Sequence, residues 1–502
     1  MSEPSLRVHL LGICGTAMAA LAGSLQAMGH RVTGSDEHVY PPMSDHLAAL
    51  GIAFREGYRP ENIPPDADLA IVGNVIRASN PEAQALRARG LPFLSMAEAV
   101  QRFAIRGRYT VAVVGTHGKT TTTALAAHTL VELGADPGFL IGGIARNFNS
   151  NFRVGAGSRF VIEGDEYDTA YFDKTPKFFK YKPTALLFTS LEFDHADIYP
   201  DLDAIRAQFG KLLAGMPADG LVVACADAPN VAALLPRAAC AVVTYGFSPG
   251  AHCRLSGWRA EGDGAVFRTE FSGPLAEAGG AHTWRVPLSG GYNALNAAAV
   301  WVLARRLGYD APAVQRAFSS FQGVKRRQEL RGEASGVCVI DDFAHHPTAI
   351  GLTIEAMAKR YPGRRLWAVF EPRSFTARGE HFRDAYPAAF LAADRTVLAP
   401  AFQSAAAAPA TPAPGAAPPA PGRLDSGAVA AALRAQGRWA ESPPTTQAIV
   451  ELIAAQAEPG DVVLVMSNGG FENLIDRLLA ALAARAGQDQ GNARRHPGTG
   501  AG

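Results

Sequence analysis

The stretch Val111-Ala-Val-Val-Gly-Thr-His-Gly-Lys-Thr-Thr-Thr-Thr123 constrains the fold more than any other part of the chain. A β-branched run breaks into a glycine turn and then into a helical segment, so strand, loop and helix follow one another directly. That order suits a triphosphate cradle: Gly115 and Gly118 let backbone N–H groups turn inward, and the helix aims its positive end at the anion. Contacts to nucleotide are expected from Gly115, Thr116, His117, Gly118, Lys119, Thr120 and Thr121, with Lys119 along the β- and γ-phosphates and the Thr120 hydroxyl on Mg²⁺. Val113 stands where the usual pattern has its first glycine, which leaves a shorter loop; an ordinary strand-to-helix turn is the competing explanation.

A chain of 502 residues is too long for one core, and three domains are expected. Lys plus Arg number 47 against 46 Asp plus Glu, a balance that gives no bulk attraction to nucleic acid or to an anionic membrane. The cysteines Cys14, Cys225, Cys240, Cys253 and Cys338 lack the paired spacing of a zinc site or a disulfide framework, which fits a reducing cytoplasm. The apolar segment from Leu6 to Leu25 is punctuated by Gly12 and Gly15 and reads as strand, turn and helix, against a secretory signal.

Residues 1–108 follow a nucleotide-binding strand–helix–strand plan of Rossmann type. Gly12, Ile13, Cys14, Gly15 and Thr16 form the turn expected at a pyrophosphate, and Ser35 and Asp36 end the next strand about 20 residues on, where an acid can bind a ribose hydroxyl. The third glycine of the dinucleotide fingerprint is missing, which argues against a nicotinamide cofactor.

Residues 109–324 form a central phosphate-loop domain with a mainly parallel sheet. The strand Arg159-Phe-Val-Ile-Glu163 runs into Gly-Asp-Glu-Tyr-Asp168, and Thr184 to Thr189 runs into Ser-Leu-Glu-Phe-Asp-His195. Carboxyl ends of parallel strands converge on the ligand crevice, so Glu163 and His195 are expected beside Lys119. Alternating segments over 251–286 suggest antiparallel ribbons. Asn293 and Asn296, one turn apart, suit either a helix cap or a base edge. The basic run from Gly323 to Gln328 is a hinge placed to reach back to a phosphate.

Residues 325–486 repeat the open parallel-sheet plan. The strand 336–340 ends in Asp341-Asp-Phe-Ala-His-His-Pro347, with Pro347 suited to a first helical turn. The Ala/Pro tract 404–422 reads as a mobile surface insertion and 487–502 as a disordered tail.

Taken in order, Gly115 to Thr120, Glu163, Asp194-His195, Tyr292-Asn-Ala-Leu-Asn296, Arg326 and Asp341 to Pro347 resemble the Mur ligase family over nearly the whole chain. Stretches such as Gly34 to Met43, Asp165 to Asp173, Leu191 to Asp197, Glu371-Pro-Arg-Ser374 and Ser467 to Phe471 are similar to the tripeptide-adding member rather than the alanine-adding one. Tyr292 departs from the family's histidine, and Lys211 lies near, but not clearly at, the family's modified lysine.

The resemblance implies an α/β fold of three domains and an ATP-dependent ligase acting through an acyl phosphate. UDP-N-acetylmuramate, ATP as co-substrate and a murein tripeptide would be its partners, with two Mg²⁺ ions. It implies catalytic Lys119, Glu163, His195 and Arg326, metal ligands Thr120, Glu163 and His195, and nucleotide contacts from Asn293, Asn296, Arg326 and Asp342. Arg373 and Arg378 are candidates for clamping peptide carboxylates. A monomer or weak oligomer is expected. The alternatives are the alanine ligase of the same family and a phosphate-loop ATPase acting as a switch.

Overall fold

The computed structural model describes residues 4–39, 43–272, 280–403 and 422–495, so the tract read over 404–422 lies outside the described residues except for Gly422. Three sheets carry the chain, together with a two-stranded ribbon.

The first sheet has the strand order Ala53–Glu56, Arg31–Asp36, Arg7–Leu11, Leu69–Val72, Phe93–Ser95, all parallel. Residues 8–11 and 69–72 are buried throughout, the near-continuous apolar pattern of strands covered on both faces. Chain direction switches to either side of Arg7–Leu11, which opens a ligand crevice beyond its carboxyl end. Gly12 turns there at φ 83°, ahead of the helix Thr16–Ala27.

The second sheet has ten strands. Gly138–Ala145, Arg159–Glu163, Tyr109–Val114, Ala185–Phe188, Leu221–Cys225 and Ala241–Gly246 are parallel neighbours. Ser150–Arg153 adds antiparallel at one edge; at the other Cys253–Glu261 joins Ala241–Gly246 in parallel and begins the antiparallel ribbon continued by Gly264–Phe271 and His282–Val286. Val111, Val113, Val114 and Leu187 are fully buried, each worth about 1.5–3 kcal/mol of transfer free energy.

The third sheet runs Glu329–Ala334, Val337–Asp342, Val462–Met466, Leu366–Phe370, Arg395–Leu398, Trp439–Glu441, antiparallel only at its first pair. The last helix, Leu474–Arg495, continues past residue 487, where a structureless tail is expected from sequence; its face of Leu474, Leu478 and Leu482 packs on this sheet. Residues 496–502 lie outside the described residues.

The first two domains share one apolar cluster, running from Val8, Leu10 and Leu21 to Val114, Ile162 and Phe188. Tyr171 and Phe172, on the ribbon of the middle domain, pack against Leu11, Val72 and Ile76 of the first. The third domain meets the second through polar contacts around the phosphate loop and through Phe193 against Phe382 and Tyr292 against the third domain's core.

Candidate active site

Strand Tyr109–Val114 ends at Gly115, where φ is 126° and an added Cβ would lie 2.5 Å from the Ser190 carbonyl oxygen. Only glycine lets the loop press this closely on the neighbouring strand end. The loop is then held by Thr116 N donating to Ser190 O at 3.1 Å, His117 N donating to Ser190 Oγ at 2.8 Å and Thr189 Oγ1 donating to His117 O at 2.6 Å. Helix Lys119–Glu132 begins at Gly118 with no side-chain cap. Its first-turn N–H groups therefore remain available to an anion.

Glu163 and His195 both reach this loop. Thr120 Oγ1 donates to Glu163 Oε1 at 3.0 Å, and Gly142 N holds Glu163 Oε2 at 2.8 Å. Lys119 Nζ donates to Gly115 O at 2.6 Å and to both oxygens of Glu166 at 2.9 Å. His195 Nε2 lies 2.9 Å from Glu166 Oε1. Glu166 thus joins the expected histidine and the expected lysine. It sits in the Gly-Asp-Glu-Tyr-Asp run, but sequence alone did not distinguish it from Asp165, which instead receives Lys177 Nζ at 2.9 Å. His195 is held at φ 57°, a conformation uncommon outside glycine.

Three carboxylates, Glu163, Asp165 and Glu166, gather around Lys119 in this pocket. Burial raises the Glu163 carboxyl above its usual range. Burial opposes the charge on Lys119, but Glu166, Asp165 and Glu163 together hold its ammonium above the ordinary value. Burial likewise opposes the His195 imidazolium, and Glu166 outweighs it. Thr120 and Glu163 face each other, with His195 and Glu166 across the loop. This fits Mg²⁺, which takes one or two carboxylates and completes its shell with water and phosphate oxygens.

The third domain supplies the roof, and here the expected arginine is not the one that arrives. Arg326, at φ 61°, lies 3.3 Å from Asp341 Oδ2 by Nε and donates through Nη2 to Ser467 O and Gly469 O, each at 2.7 Å. Its neighbour Arg327 donates to Thr120 Oγ1 at 3.1 Å. Left-handed backbone at Arg326 turns one guanidinium into its own domain and the next toward the phosphate loop, a choice that spacing cannot show. Asp341, shared by Arg326 and Arg331, braces the domain.

Asn293 donates to Ser289 O at 2.7 Å and Asn296 to Asn293 Oδ1 at 3.0 Å. The helix Gly291–Arg306 is preceded by Gly290, so neither asparagine is its cap. Asn296 Oδ1 presses on Gly118, where an added Cβ would lie 2.6 Å away. Gln328 N donates to Asp342 Oδ2 at 2.8 Å, and its side chain bonds Ser289 O and the Tyr292 hydroxyl. Gln328 thereby ties the two asparagines to Asp342 across the domain boundary.

The loop after strand Ala185–Phe188 is gripped from the same side. Ala196 N donates to Thr376 Oγ1 at 3.0 Å, His345 Nε2 lies 3.6 Å from Asp194 and His346 Nδ1 lies 3.4 Å from Glu192. Burial raises the Asp194 carboxyl, but His345 and His195 hold it well below the carboxylate range. Burial also works against the Glu192 carboxylate, and the hydrogen bond and charge of His117 bring it down to about 2. Burial and the adjacent His117 push His346 down to about 4.

In the first domain the turn is organised from within. Gly12 N and Ile13 N donate to Ser35 O at 2.8 and 3.1 Å, and Cys14 N donates to Asp36 Oδ2 at 2.8 Å. Ile13 is fully buried against Gly34. These residues shape the turn, and the uncapped start of helix Thr16–Ala27 is what faces the crevice. Glu82, a residue the motif reading passed over, is fully buried below; it accepts from Ser35 Oγ, from Asn62 Nδ2 at 2.7 Å and from Arg59 N at 3.0 Å.

Arg373 lies beyond strand Leu366–Phe370, with its guanidinium 3.7 Å from the Phe402 ring centroid and 3.4 Å from Glu371. Arg378 lies over Phe375 at 5.6 Å. Lys211 is exposed on helix Leu202–Ala214.

Three folded units whose cradle, strand-end acids and domain-borne arginine converge in this way define a nucleotide-dependent enzyme. Residues 7–108 match the Mur ligase family catalytic domain, 113–304 the Mur ligase middle domain and 326–469 the Mur ligase glutamate ligase domain. The chain belongs to the Mur ligase family. It is 37% identical over 484 residues to the UDP-N-acetylmuramate–L-alanyl-gamma-D-glutamyl-meso-2,6-diaminoheptandioate ligase of Escherichia coli strain K12, covering 96% of this chain and 99% of that protein. A murein peptide ligase structure from Psychrobacter arcticus 273-4 superimposes with a TM-score of 0.69 at 31% identity, over 95% of this chain and 99% of that one. A UDP-N-acetylmuramate-alanine ligase structure from Thermotoga maritima gives 0.76 at 25% identity, over 96% and 100%. The two measures rank the substrate classes oppositely. In a three-domain chain overall superposition is sensitive to domain orientation, so identity is the better guide to substrate.

Proposed function

We propose that the chain joins the tripeptide L-Ala-γ-D-Glu-meso-diaminopimelate to the lactyl carboxylate of UDP-N-acetylmuramate, using ATP. The observation that carries the reading is the convergence of Lys119, Thr120, Glu163, Glu166 and His195 under Arg327 of a separate domain. A carboxylate attacking a triphosphate brings like charges together, so catalysis must consist mainly of alignment and charge neutralisation. Lys119 leaves Glu166 for the phosphates as nucleotide enters. Arg327 follows the developing charge, and Arg326 keeps the strand-end loop 467–469 in place beneath the acceptor. Thr120, Glu163 and His195 would hold Mg²⁺, which supplies further positive charge at the transferring phosphoryl group. The carboxylate oxygen takes that phosphoryl group, ADP leaves, and the peptide amine displaces phosphate from the acyl carbon. Domain closure excludes water, which otherwise hydrolyses the acyl phosphate.

Residues 1–108 are assigned to the UDP moiety, 109–324 to ATP and 325–486 to the peptide, with Arg373 and Arg378 facing its carboxylates. Asn293, Asn296, Gln328 and Asp342 are placed around the nucleotide. We place the enzyme in the cytoplasm as a monomer or weak oligomer; all five cysteines are free, and no described helix is long and apolar enough to cross a membrane. The test is phosphate release from ATP and Mg²⁺ with UDP-N-acetylmuramate, comparing the tripeptide with L-alanine. Release that depends on both the sugar nucleotide and the tripeptide supports the assignment. Faster release with L-alanine would favour the alanine ligase, the reading to which the closer superposition points, and release needing neither would favour an ATPase switch.

A further inference from the structure

His117, Glu192 and His346 come from three separate segments: the phosphate loop, the loop after strand Ala185–Phe188, and the start of helix Pro347–Arg360 in the third domain. Their ligand atoms all lie within 4.8 Å of one another. His117 Nε2 is 2.7 Å and His346 Nδ1 is 3.4 Å from the same oxygen, Glu192 Oε2. His117 is also an expected nucleotide contact, but Glu192 and His346 take no part in the proposed ligation chemistry, and the group is distinct from Thr120, Glu163 and His195.

We propose that His117, Glu192 and His346 form a second, transition-metal site of zinc class that bridges the phosphate loop and the third domain. Two imidazoles and one carboxylate are the donor set of open tetrahedral Zn²⁺ sites, whereas Mg²⁺ prefers oxygen. At bond lengths near 2.0–2.1 Å, tetrahedral ligand atoms stand roughly 3.3–3.4 Å apart. The Glu192–His346 spacing of 3.4 Å already meets that, His117 would withdraw from Glu192 by roughly 0.6–0.7 Å, and the His117–His346 spacing lies within 4.8 Å. Metal binding requires neutral histidine and ionised carboxylate. His346 and Glu192 are in those forms at neutral pH, so neither must lose a proton. Their side chains keep an entry path: Glu192 is 37% exposed and His117 20%, against 7% for His346.

Existing bonds define the cost. His346 Nε2 lies 3.2 Å from Phe193 O, which makes it the donor, and Nδ1 accepts from Thr348 N at 3.2 Å as the helix cap. The ion would take over that Nδ1 lone pair, a loss of about 1 kcal/mol in helix capping. The Nε2–H bond to Phe193 O orients the ring from its far side, the second-shell arrangement common at histidine-bound metals. Because the ligands lie on both sides of the domain boundary, the ion would tie the third domain to the phosphate loop.

The full chain is titrated with Zn²⁺ against a chromophoric chelator in excess Mg²⁺, and separately with Co²⁺ while its visible d–d absorption is recorded. The expected result is one Zn²⁺ per chain that Mg²⁺ does not displace, and tetrahedral Co²⁺ bands. Glu192→Gln and His346→Asn should each weaken Zn²⁺ by about 100-fold; asparagine keeps a helix cap at 346, so loss of fold does not mimic loss of a ligand, and a thermal melt verifies this. Binding that Mg²⁺ abolishes, octahedral Co²⁺ spectra, or affinity unchanged in the folded His346→Asn chain would overturn the site. Each of these readouts is independent of which peptide the enzyme accepts.

Discussion

Replacing Glu166 by glutamine separates catalytic placement from nucleotide binding. The Glu166 side chain is 4% exposed and meets Lys119 Nζ and His195 Nε2, each at 2.9 Å. At an effective dielectric near 20, either full charge pair at that distance is worth about 6 kcal/mol before desolvation. The desolvation penalty opposes this by several kcal/mol, and breaking such a pair costs about 3–5 kcal/mol. Glutamine keeps one acceptor but no charge, so Lys119 is released toward the phosphates while His195 loses its anchor. ATP affinity measured by calorimetry should hold or tighten, and kcat should fall about 100-fold, the usual effect of losing a ligand-orienting partner. The assignment fails if kcat is unchanged. It fails equally if ATP affinity falls in parallel with kcat, since Glu166 would then be a support for the fold alone.

Arg327→Ala should lower kcat by about 100-fold, as loss of a preorganised charge does, with the thermal melt unchanged. Arg326→Ala should instead lower the melt by an amount equivalent to about 1–3 kcal/mol, because Asp341 keeps only Arg331; equal effects from the two arginines would remove the distinction drawn here. Arg373→Ala should raise the tripeptide KM about tenfold or more, the loss of a charge-assisted bond of 1.5–3 kcal/mol, and leave the UDP-N-acetylmuramate KM alone; an unchanged tripeptide KM refutes the clamp. Asp68, hydrogen-bonded by Arg7, is lowered from 3.8 to about 2. Its contribution to stability is present above about pH 4 and is lost as pH falls toward about 2, so Asp68→Asn should flatten the acid limb of the melting profile in that window.

Much of this chain was legible because its signals are local. Gly115 and Gly118 mark positive backbone φ wherever the strand goes next, and buried β-branched runs mark parallel strands, so the three sheets and the cradle follow from neighbours along the chain. Strand ends share an edge in any such sheet, which is why Glu163 and His195 could be placed beside Lys119 before their contacts were known.

What sequence could not decide was which way a side chain turns once segments distant in the chain meet. Glu166 rather than Asp165 reaches Lys119, and Arg327 rather than Arg326 reaches Thr120. In each case the alternatives are adjacent or nearly so, carry the same charge, and are separated only by local backbone direction. Glu82 beneath the first turn and the meeting of His117, Glu192 and His346 depend on segments far apart in the chain. Periodicity and turn chemistry act over a few residues, whereas these contacts are set by how distant segments pack within and between domains, and that was settled only in three dimensions.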